Sequence, residues 1–191
     1  MLNSLENLDL SVFTYINHLP HPQFLISLGL FLTGIGSYGA VWLIAGIVFA
    51  FLGRKKGIRT FWLIVTALIM DLALNEYLIK LTIERPRPYQ VLKLAGLYFW
   101  DTKWVDSSFA SGHSFTAVAC AVIIGSRYPK LIWPFLILAA LIAFSRVYLG
   151  AHWPSDVVAG AIMGLIIGYI IIYVENRYFV KEKKLNNKTR K

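Results

Sequence analysis

Long apolar runs constrain this chain more than any other feature of its sequence. They cover residues 24–52, 60–80, 113–127, 131–149 and 155–175. Hydrophobic residues make up 57% of the 191 residues, which is beyond the usual range for a soluble domain. A helix needs roughly 20 residues to cross a ~30 Å hydrocarbon core. We therefore predict an all-α, polytopic bundle of five transmembrane helices that forms one domain, residues 1–191.

The N-terminal part of the chain has two further features. Glycines recur along the first apolar run, so we expect its helix to bend or break between Gly34 and Gly39. Before that run, apolar residues recur at helical spacing with polar residues between them. Residues 4–17 are too short to span, so we predict an interfacial helix there. A sixth span formed by residues 13–34 is the alternative.

Basic residues are unevenly distributed between the two ends of the predicted spans. Thirteen of the nineteen fall on one side, which the positive-inside rule makes cytoplasmic: Arg54, Lys55, Lys56, Arg59, Arg127, Lys130, Arg177, Lys181, Lys183, Lys184, Lys188, Arg190 and Lys191. The last of these belong to a basic cytoplasmic tail, residues 180–191, which we expect to be disordered. The long loop 81–112 is then extracytoplasmic. Because the basic residues lie at the ends of the predicted spans and in the tail, the net charge of +9 does not indicate nucleic-acid binding.

Cations lie at the ends of two apolar runs and in the long loop 81–112 that precedes the third run, all on the predicted extracytoplasmic side. Lys80 ends one span, Arg87 lies between Pro86 and Pro88, and Arg146 ends another span. Fixed cations of this kind can stabilise the charge that spreads over the oxygens of a phosphoryl group in its transition state. Spacing alone does not exclude Arg85 in place of Arg87.

Ser111, Gly112 and His113 open the third apolar run. A serine N-cap followed by glycine exposes backbone N–H groups at the positive end of a helix, which is a favourable place for an anion. An imidazole at the same position can protonate a leaving alkoxide near neutral pH. The triplet therefore predicts a phosphate site with a general acid.

His152 and Asp156 are four residues apart at the start of a helix with Pro154 in its first turn. A carboxylate hydrogen-bonded to one ring nitrogen would fix the tautomer and leave the other nitrogen free to attack phosphorus. The sequence has no HExxH pair or carboxylate cluster suited to zinc or magnesium, so we predict no metal and no cofactor.

Three other polar residues lie inside the 60–80 span. Asp71 and Asn75 are one helical turn apart, as are Glu76 and Lys80. An intramembrane carboxylate suggests a function such as a proton path, and a structural role that holds the Lys80 end of the helix is equally consistent. We leave these residues outside the predicted catalytic set.

The chain resembles the type 2 phosphatidic acid phosphatase (PAP2) family. The family pattern is a lysine, six residues and Arg-Pro; then Pro-Ser-Gly-His; then Ser-Arg, five residues, His, three residues and Asp. Lys80 and Arg87-Pro88 match the first motif, so the resemblance selects Arg87 over Arg85. Ser145-Arg146, His152 and Asp156 match the third motif. The second motif departs from the pattern, because Ala110 stands where the family usually has proline.

The resemblance implies a role for each matched residue. His152 would be the nucleophile that forms a phosphohistidine, Asp156 its orienting partner, and His113 the acid and later the base. The phosphate would be bound by Lys80, Arg87, Ser111, Gly112 and Arg146.

These observations predict a metal-independent phosphatase of the cytoplasmic membrane with an outward-facing active site. Its partner would be a membrane lipid phosphate or diphosphate, such as a polyprenyl diphosphate, a phosphatidylglycerophosphate or a phosphatidate. The alternative is a non-catalytic lipid-phosphate carrier or flippase that retains the anion pocket.

Overall fold

The computed structural model describes residues 2–92 and 107–189, and the side chains of residues 4–92 and 107–178. Most of these residues are helical, and neither range contains a strand. The helices are α1 (Leu2–Asn17), α2 (Gln23–Gly36), α3 (Ala40–Leu52), α4 (Arg54–Met70), α5 (Lys80–Thr82), α6 (Pro88–Val91), α7 (Gly112–Arg127), α8 (Ile132–Tyr148) and α9 (Pro154–Thr189). A π-helical segment, Asp71–Ile79, joins α4 to α5 without a break. The prediction of an all-α chain is confirmed.

Four helical segments of the described chain are long and apolar enough to cross a membrane: Gln23–Leu52, Arg54–Thr82, Pro129–Tyr148 and Pro154–Tyr178. The fifth predicted span is α7, which has only 16 residues. Most of its side chains are buried, because α4, α8 and α9 pack around it. A helix enclosed in this way contacts protein rather than lipid, so its length need not match the bilayer.

The N-terminal segment forms two helices rather than one. Helix α1 ends at Asn17, and Pro20 and Pro22 precede α2. Proline has no backbone N–H to continue a helix, so the alternative of a single span over residues 13–34 is wrong. Helix α1 itself agrees with the predicted helix over residues 4–17. Its Leu5, Leu8 and Tyr15 are exposed, as an interfacial helix requires.

Two other predictions concern helix continuity. The first apolar run breaks between α2 and α3, where Tyr38 has a φ of 52° and Gly39 a φ of 70°, so the expected bend is confirmed. Helix α9 continues to Thr189, so the expected disorder of the basic tail is wrong for residues 180–189. Lysine, glutamate and leucine make up most of that segment, and these residue types have high helix propensity.

Close contact between α7 and α9 organises the centre of the bundle. Gly160, Gly164 and Gly168 of α9 face the backbone of α7, one turn apart. A Cβ atom at Gly164 would collide with the carbonyl oxygen of Phe115, and one at Gly160 with that of Ser111. Small residues allow helix backbones to approach in this way in membrane proteins. The contact therefore fixes the start of α7 against the first turns of α9.

A single methyl group should disturb this contact. We expect Gly164→Ala to destabilise the protein by about 1–3 kcal/mol, because the backbone of α7 would have to move. Thermal unfolding in detergent, followed by the loss of helical circular dichroism, measures the effect. Gly34→Ala is the matched control, since nothing lies within 4 Å of a Cβ atom at Gly34. Equal melting temperatures for the two variants would contradict the account of the α7–α9 contact.

Candidate active site

His152 lies in the short turn between α8 and α9. The backbone N–H groups of Ala151 and His152 donate to the carbonyl oxygen of Arg146 at 2.8 and 3.2 Å, which fixes the turn on the end of α8. The imidazole is only 2% exposed. Its Nδ1 lies 2.7 Å from the carbonyl oxygen of Ser108, and its Nε2 lies 3.3 Å from Nη1 of Arg87. A carbonyl oxygen only accepts hydrogen bonds, so Nδ1 carries the hydrogen and Nε2 carries the lone pair.

The surroundings of His152 favour the neutral imidazole. Burial and the nearby charges of Arg87, Arg146 and Lys80 lower the pKa of His152 well below its ordinary value, although the hydrogen bond to Ser108 opposes them. The ring is therefore neutral near pH 7. A neutral ring with a lone pair on Nε2 is the form that can act as a nucleophile.

The hydrogen bonds that link Asp156 to His152 differ from the predicted one. Its Oδ2 lies 3.7 Å from Nδ1 of His152, which is too long for a hydrogen bond. Instead, Oδ2 accepts hydrogen bonds from the Ser108 hydroxyl and, at 2.9 Å, from the backbone N–H of Trp153. Ser108 in turn holds the imidazole through its carbonyl oxygen. Asp156 thus fixes two segments that hold the ring in place and makes no hydrogen bond to the ring itself.

The structure distinguishes Arg87 from Arg85, which motif spacing alone could not do. Arg87 is buried, and its Nη1 donates to the carbonyl oxygen of Ala151 at 3.0 Å beside His152. Arg85 extends in another direction, where its guanidinium group donates to Asp9, Ser155 and Asp156. Arg87 therefore faces the site, as the family resemblance implied.

The start of α7 has the predicted cap. The Ser111 hydroxyl accepts a hydrogen bond from the backbone N–H of Ser114 at 3.4 Å. His113 lies in the first turn, with Nε2 at 3.2 Å from the carbonyl oxygen of Thr33. Because that oxygen only accepts, Nε2 carries a hydrogen, and Nδ1 is the nitrogen that can gain and lose a proton. The Ser37 hydroxyl, 2.9 Å from the same carbonyl oxygen, lies in the break between α2 and α3.

Lys80 has an acidic neighbour on its own helix. Its Nζ lies 2.7 Å from Oε1 of Glu76, and Nδ2 of Asn75 donates to Oδ1 of Asp71 at 3.1 Å. Both pairs have the one-turn spacing that the sequence indicated. These contacts support the structural role of the three residues, since they hold the end of the helix from which Lys80 extends.

A cavity of about 1060 Å³ joins most of the predicted site residues. Six of the eight line it: Lys80, Arg87, Gly112, His113, Arg146 and His152. Ser111 and Asp156 are fully buried and are not part of its lining. The cavity also reaches apolar side chains of α3 and α4, namely Leu43, Val65, Leu68 and Ile69. It therefore combines a cationic region suited to an anion with an apolar region.

The sequence did not reveal the contacts of three contributors to this arrangement, Ser108, Arg85 and Asp9. Ser108 acts through its backbone carbonyl oxygen, which residue type cannot indicate. Arg85 and Asp9 form an ion pair, and Asp9 is a buried carboxylate on an amphipathic helix whose side chains are mostly exposed. The only available signal was an acidic residue among the apolar positions of α1. In the described parts of the chain, no three His, Cys, Asp or Glu side chains group as metal ligands would, and metal independence stays a prediction.

This chain is similar to known proteins in sequence and in fold. The chain is 32% identical over 130 residues to an undecaprenyl-diphosphatase of Sulfolobus acidocaldarius, which covers 68% of this chain and 60% of that protein. It is 34% identical over 102 residues to the undecaprenyl-diphosphatase BcrC of Bacillus subtilis, covering 53% of this chain and 51% of that protein. The chain thus spans between half and two thirds of the length of these curated relatives.

A solved structure gives the same fold. The crystal structure of a transmembrane PAP2 type phosphatidylglycerolphosphate phosphatase from Bacillus subtilis superimposes with a TM-score of 0.68 at 23% identity, over 92% of this chain and 88% of that one. The PAP2 superfamily model matches residues 59–179, which include all eight predicted site residues. The chain belongs to the PAP2 superfamily.

Proposed function

We propose that the protein hydrolyses a membrane lipid phosphate or diphosphate, with a polyprenyl diphosphate as the favoured substrate, through a phosphohistidine on His152. The observation that carries the proposal is the position of the His152 Nε2 lone pair, beside Arg87 in a cavity that continues into apolar surface. A phosphate group matches the cationic region, and a hydrocarbon chain matches the apolar region. Two relatives are named undecaprenyl-diphosphatases, which favours a diphosphate.

The first chemical step transfers the terminal phosphoryl group to the enzyme. The Nε2 lone pair of His152 forms a bond to phosphorus, and the bond from phosphorus to the leaving oxygen breaks. Protonated His113 gives the proton on its Nδ1 to that oxygen, so the lipid leaves as a monophosphate or an alcohol. Lys80, Arg87 and Arg146 stabilise the negative charge on the three remaining oxygens.

The second step restores the enzyme. His113, now neutral, accepts a proton at Nδ1 from a water molecule as the water oxygen attacks phosphorus. The phosphorus–nitrogen bond breaks, and its electron pair returns to Nε2 of His152. Inorganic phosphate leaves, and both histidines return to their starting protonation states.

The start of α7 supports the same site. Gly112 lines the cavity, and the backbone N–H groups of this turn lie at the positive end of the helix. Ser111 contributes through the cap that fixes this turn. We therefore assign Ser111 an indirect part in phosphate binding and Gly112 a direct one.

Turnover without metal tests the proposed chemistry. We expect protein in detergent with excess chelator to release inorganic phosphate from farnesyl diphosphate faster than from phosphatidate or phosphatidylglycerophosphate. His152→Gln should lower the rate at least about a thousandfold, because the nucleophile is lost. His18→Gln is the matched control, since His18 is exposed in the turn that follows α1 and does not line the cavity. Binding without turnover on every lipid of the panel would favour a carrier or flippase instead.

The proposed outward orientation has a separate test. In a Cys120→Ala background, Val91→Cys and Lys130→Cys each place one thiol at an exposed position on opposite sides of the bundle. An impermeant thiol reagent should label the Val91→Cys variant in intact cells and the Lys130→Cys variant only after lysis, because positive charge retains the Lys130 side in the cytoplasm. The reverse pattern would place the active site on the cytoplasmic side. The loop residues 93–106 lie outside the described residues.

A further inference from the structure

Asp9 is unusual among the residues of α1. Side chains on most of this helix are exposed, as the exposure of Leu5, Leu8 and Tyr15 illustrates. Asp9, by contrast, is only 6% exposed. A carboxylate is rarely buried unless it is paired, so its partners identify what the helix binds.

Both oxygens of Asp9 bind groups next to the candidate active site. Oδ1 accepts the backbone N–H of Ser155 at 2.9 Å. Oδ2 accepts the Ser155 hydroxyl at 2.6 Å and Nη2 of Arg85 at 2.5 Å. Ser155 belongs to the first turn of α9, directly before Asp156. Asp9 therefore fixes the start of α9 and one arm of Arg85 at the same time.

Arg85 lies between two carboxylates. While Nη2 binds Asp9, Nη1 donates to Oδ1 of Asp156 at 2.5 Å and to the Ser155 hydroxyl at 2.7 Å. The planar guanidinium group can donate from both arms in a fixed geometry, which a lysine cannot do. The position of Arg85 against Asp156 thus depends on the partner of its other arm.

Asp156 connects this pair to His152. Its second oxygen accepts the Ser108 hydroxyl, and the Ser108 carbonyl oxygen accepts Nδ1–H of His152 at 2.7 Å. One continuous series of hydrogen bonds therefore runs from Asp9 through Arg85, Asp156 and Ser108 to the imidazole.

Apolar contacts fix the same elements together. Phe13, one turn after Asp9 on α1, is 1% exposed, and its ring centroid lies 5.3 Å from that of Trp153. Trp153 follows His152 directly, and its Nε1 donates to the carbonyl oxygen of Pro86 at 2.9 Å. Helix α1 thus contacts both the Arg85–Arg87 segment and the His152 turn.

We propose that Asp9 is a positioning residue of the active site, through which docked α1 sets the orientation of His152 by way of Arg85, Asp156 and Ser108. The proposal rests on the proposed function, because orientation matters only if His152 attacks phosphorus. It assigns α1 a part in catalysis in addition to its place at the membrane interface. A displaced nucleophile slows the chemical step, whereas the cations that bind the phosphate keep their positions.

The test compares two carboxylates of α1 in the full-length protein in detergent, with farnesyl diphosphate as substrate. Asp9→Asn should lower kcat about 10- to 100-fold and leave KM within about twofold, because the series is weakened but the phosphate site is intact. Glu6→Gln removes the same charge from an exposed position of α1 and should change neither constant. Arg85→Lys should reproduce the Asp9→Asn defect. The kcat of the Asp9→Asn/Arg85→Lys double variant should be no lower than that of the single variants, since both changes interrupt the same series of hydrogen bonds.

A second measurement does not depend on turnover. Nitrogen NMR of protein labelled at histidine should show the Nδ1–H signal of His152, assigned by its absence in His152→Gln. We expect Asp9→Asn and Arg85→Lys to shift this signal and Glu6→Gln to leave it unchanged. A loss of kcat with an unshifted signal would overturn the positioning role, as would an Asp9→Asn variant that matches Glu6→Gln in both measurements. If the wild-type protein shows no turnover, the proposed function is wrong. The NMR comparison alone then tests whether Asp9 and Arg85 position the imidazole of His152.

Discussion

Helices α7 and α9 approach each other backbone to backbone, and this contact determines where both helices begin in the candidate active site. Where α9 has glycine at Gly160 and Gly164, the carbonyl oxygens of α7 occupy the space that a side chain would need. The backbone N–H of Ser111 also donates to the carbonyl oxygen of Asp156 at 3.1 Å, so the two helix starts are joined directly. This places the positive end of α7 beside the His152 turn. Lys80, Arg87 and Arg146, which we propose bind the phosphate, extend into the same cavity from other elements.

Charge inside this apolar bundle is compensated in pairs and networks. Lys80 pairs with Glu76, and Arg85 bridges Asp9 and Asp156. His152 remains neutral in a cavity that Arg87 and Arg146 also line, because burial and those charges disfavour its protonation. Groups held in this way need little rearrangement when charge develops on a substrate, which is the condition for strong electrostatic stabilisation of a transition state. The same pairing explains how so many ionisable groups are tolerated near the membrane.

Much of this arrangement could be predicted from the sequence, and the exceptions share a physical cause. Apolar runs and glycine positions predicted the helices and the break near Gly39, because these depend on local composition. Motif spacing identified six residues that line one cavity. The predicted hydrogen bond between His152 and Asp156 was wrong in detail, because a backbone carbonyl oxygen, that of Ser108, takes the place of the carboxylate. The pairing of Asp9 with Arg85 joins residues 76 positions apart, and nothing in the local pattern of either segment indicates it.

The proposed reaction requires His152 to carry the phosphoryl group during turnover. Its most direct test is to mix the protein with farnesyl diphosphate radiolabelled in the terminal phosphate, quench in alkaline detergent during the first turnover, and locate the label by peptide mass spectrometry. The proposed phosphohistidine predicts a label on the peptide that contains His152, stable in alkali, lost in acid and absent from the His152→Gln variant. Turnover with no labelled protein at any quench time, or a label on another residue, would contradict it.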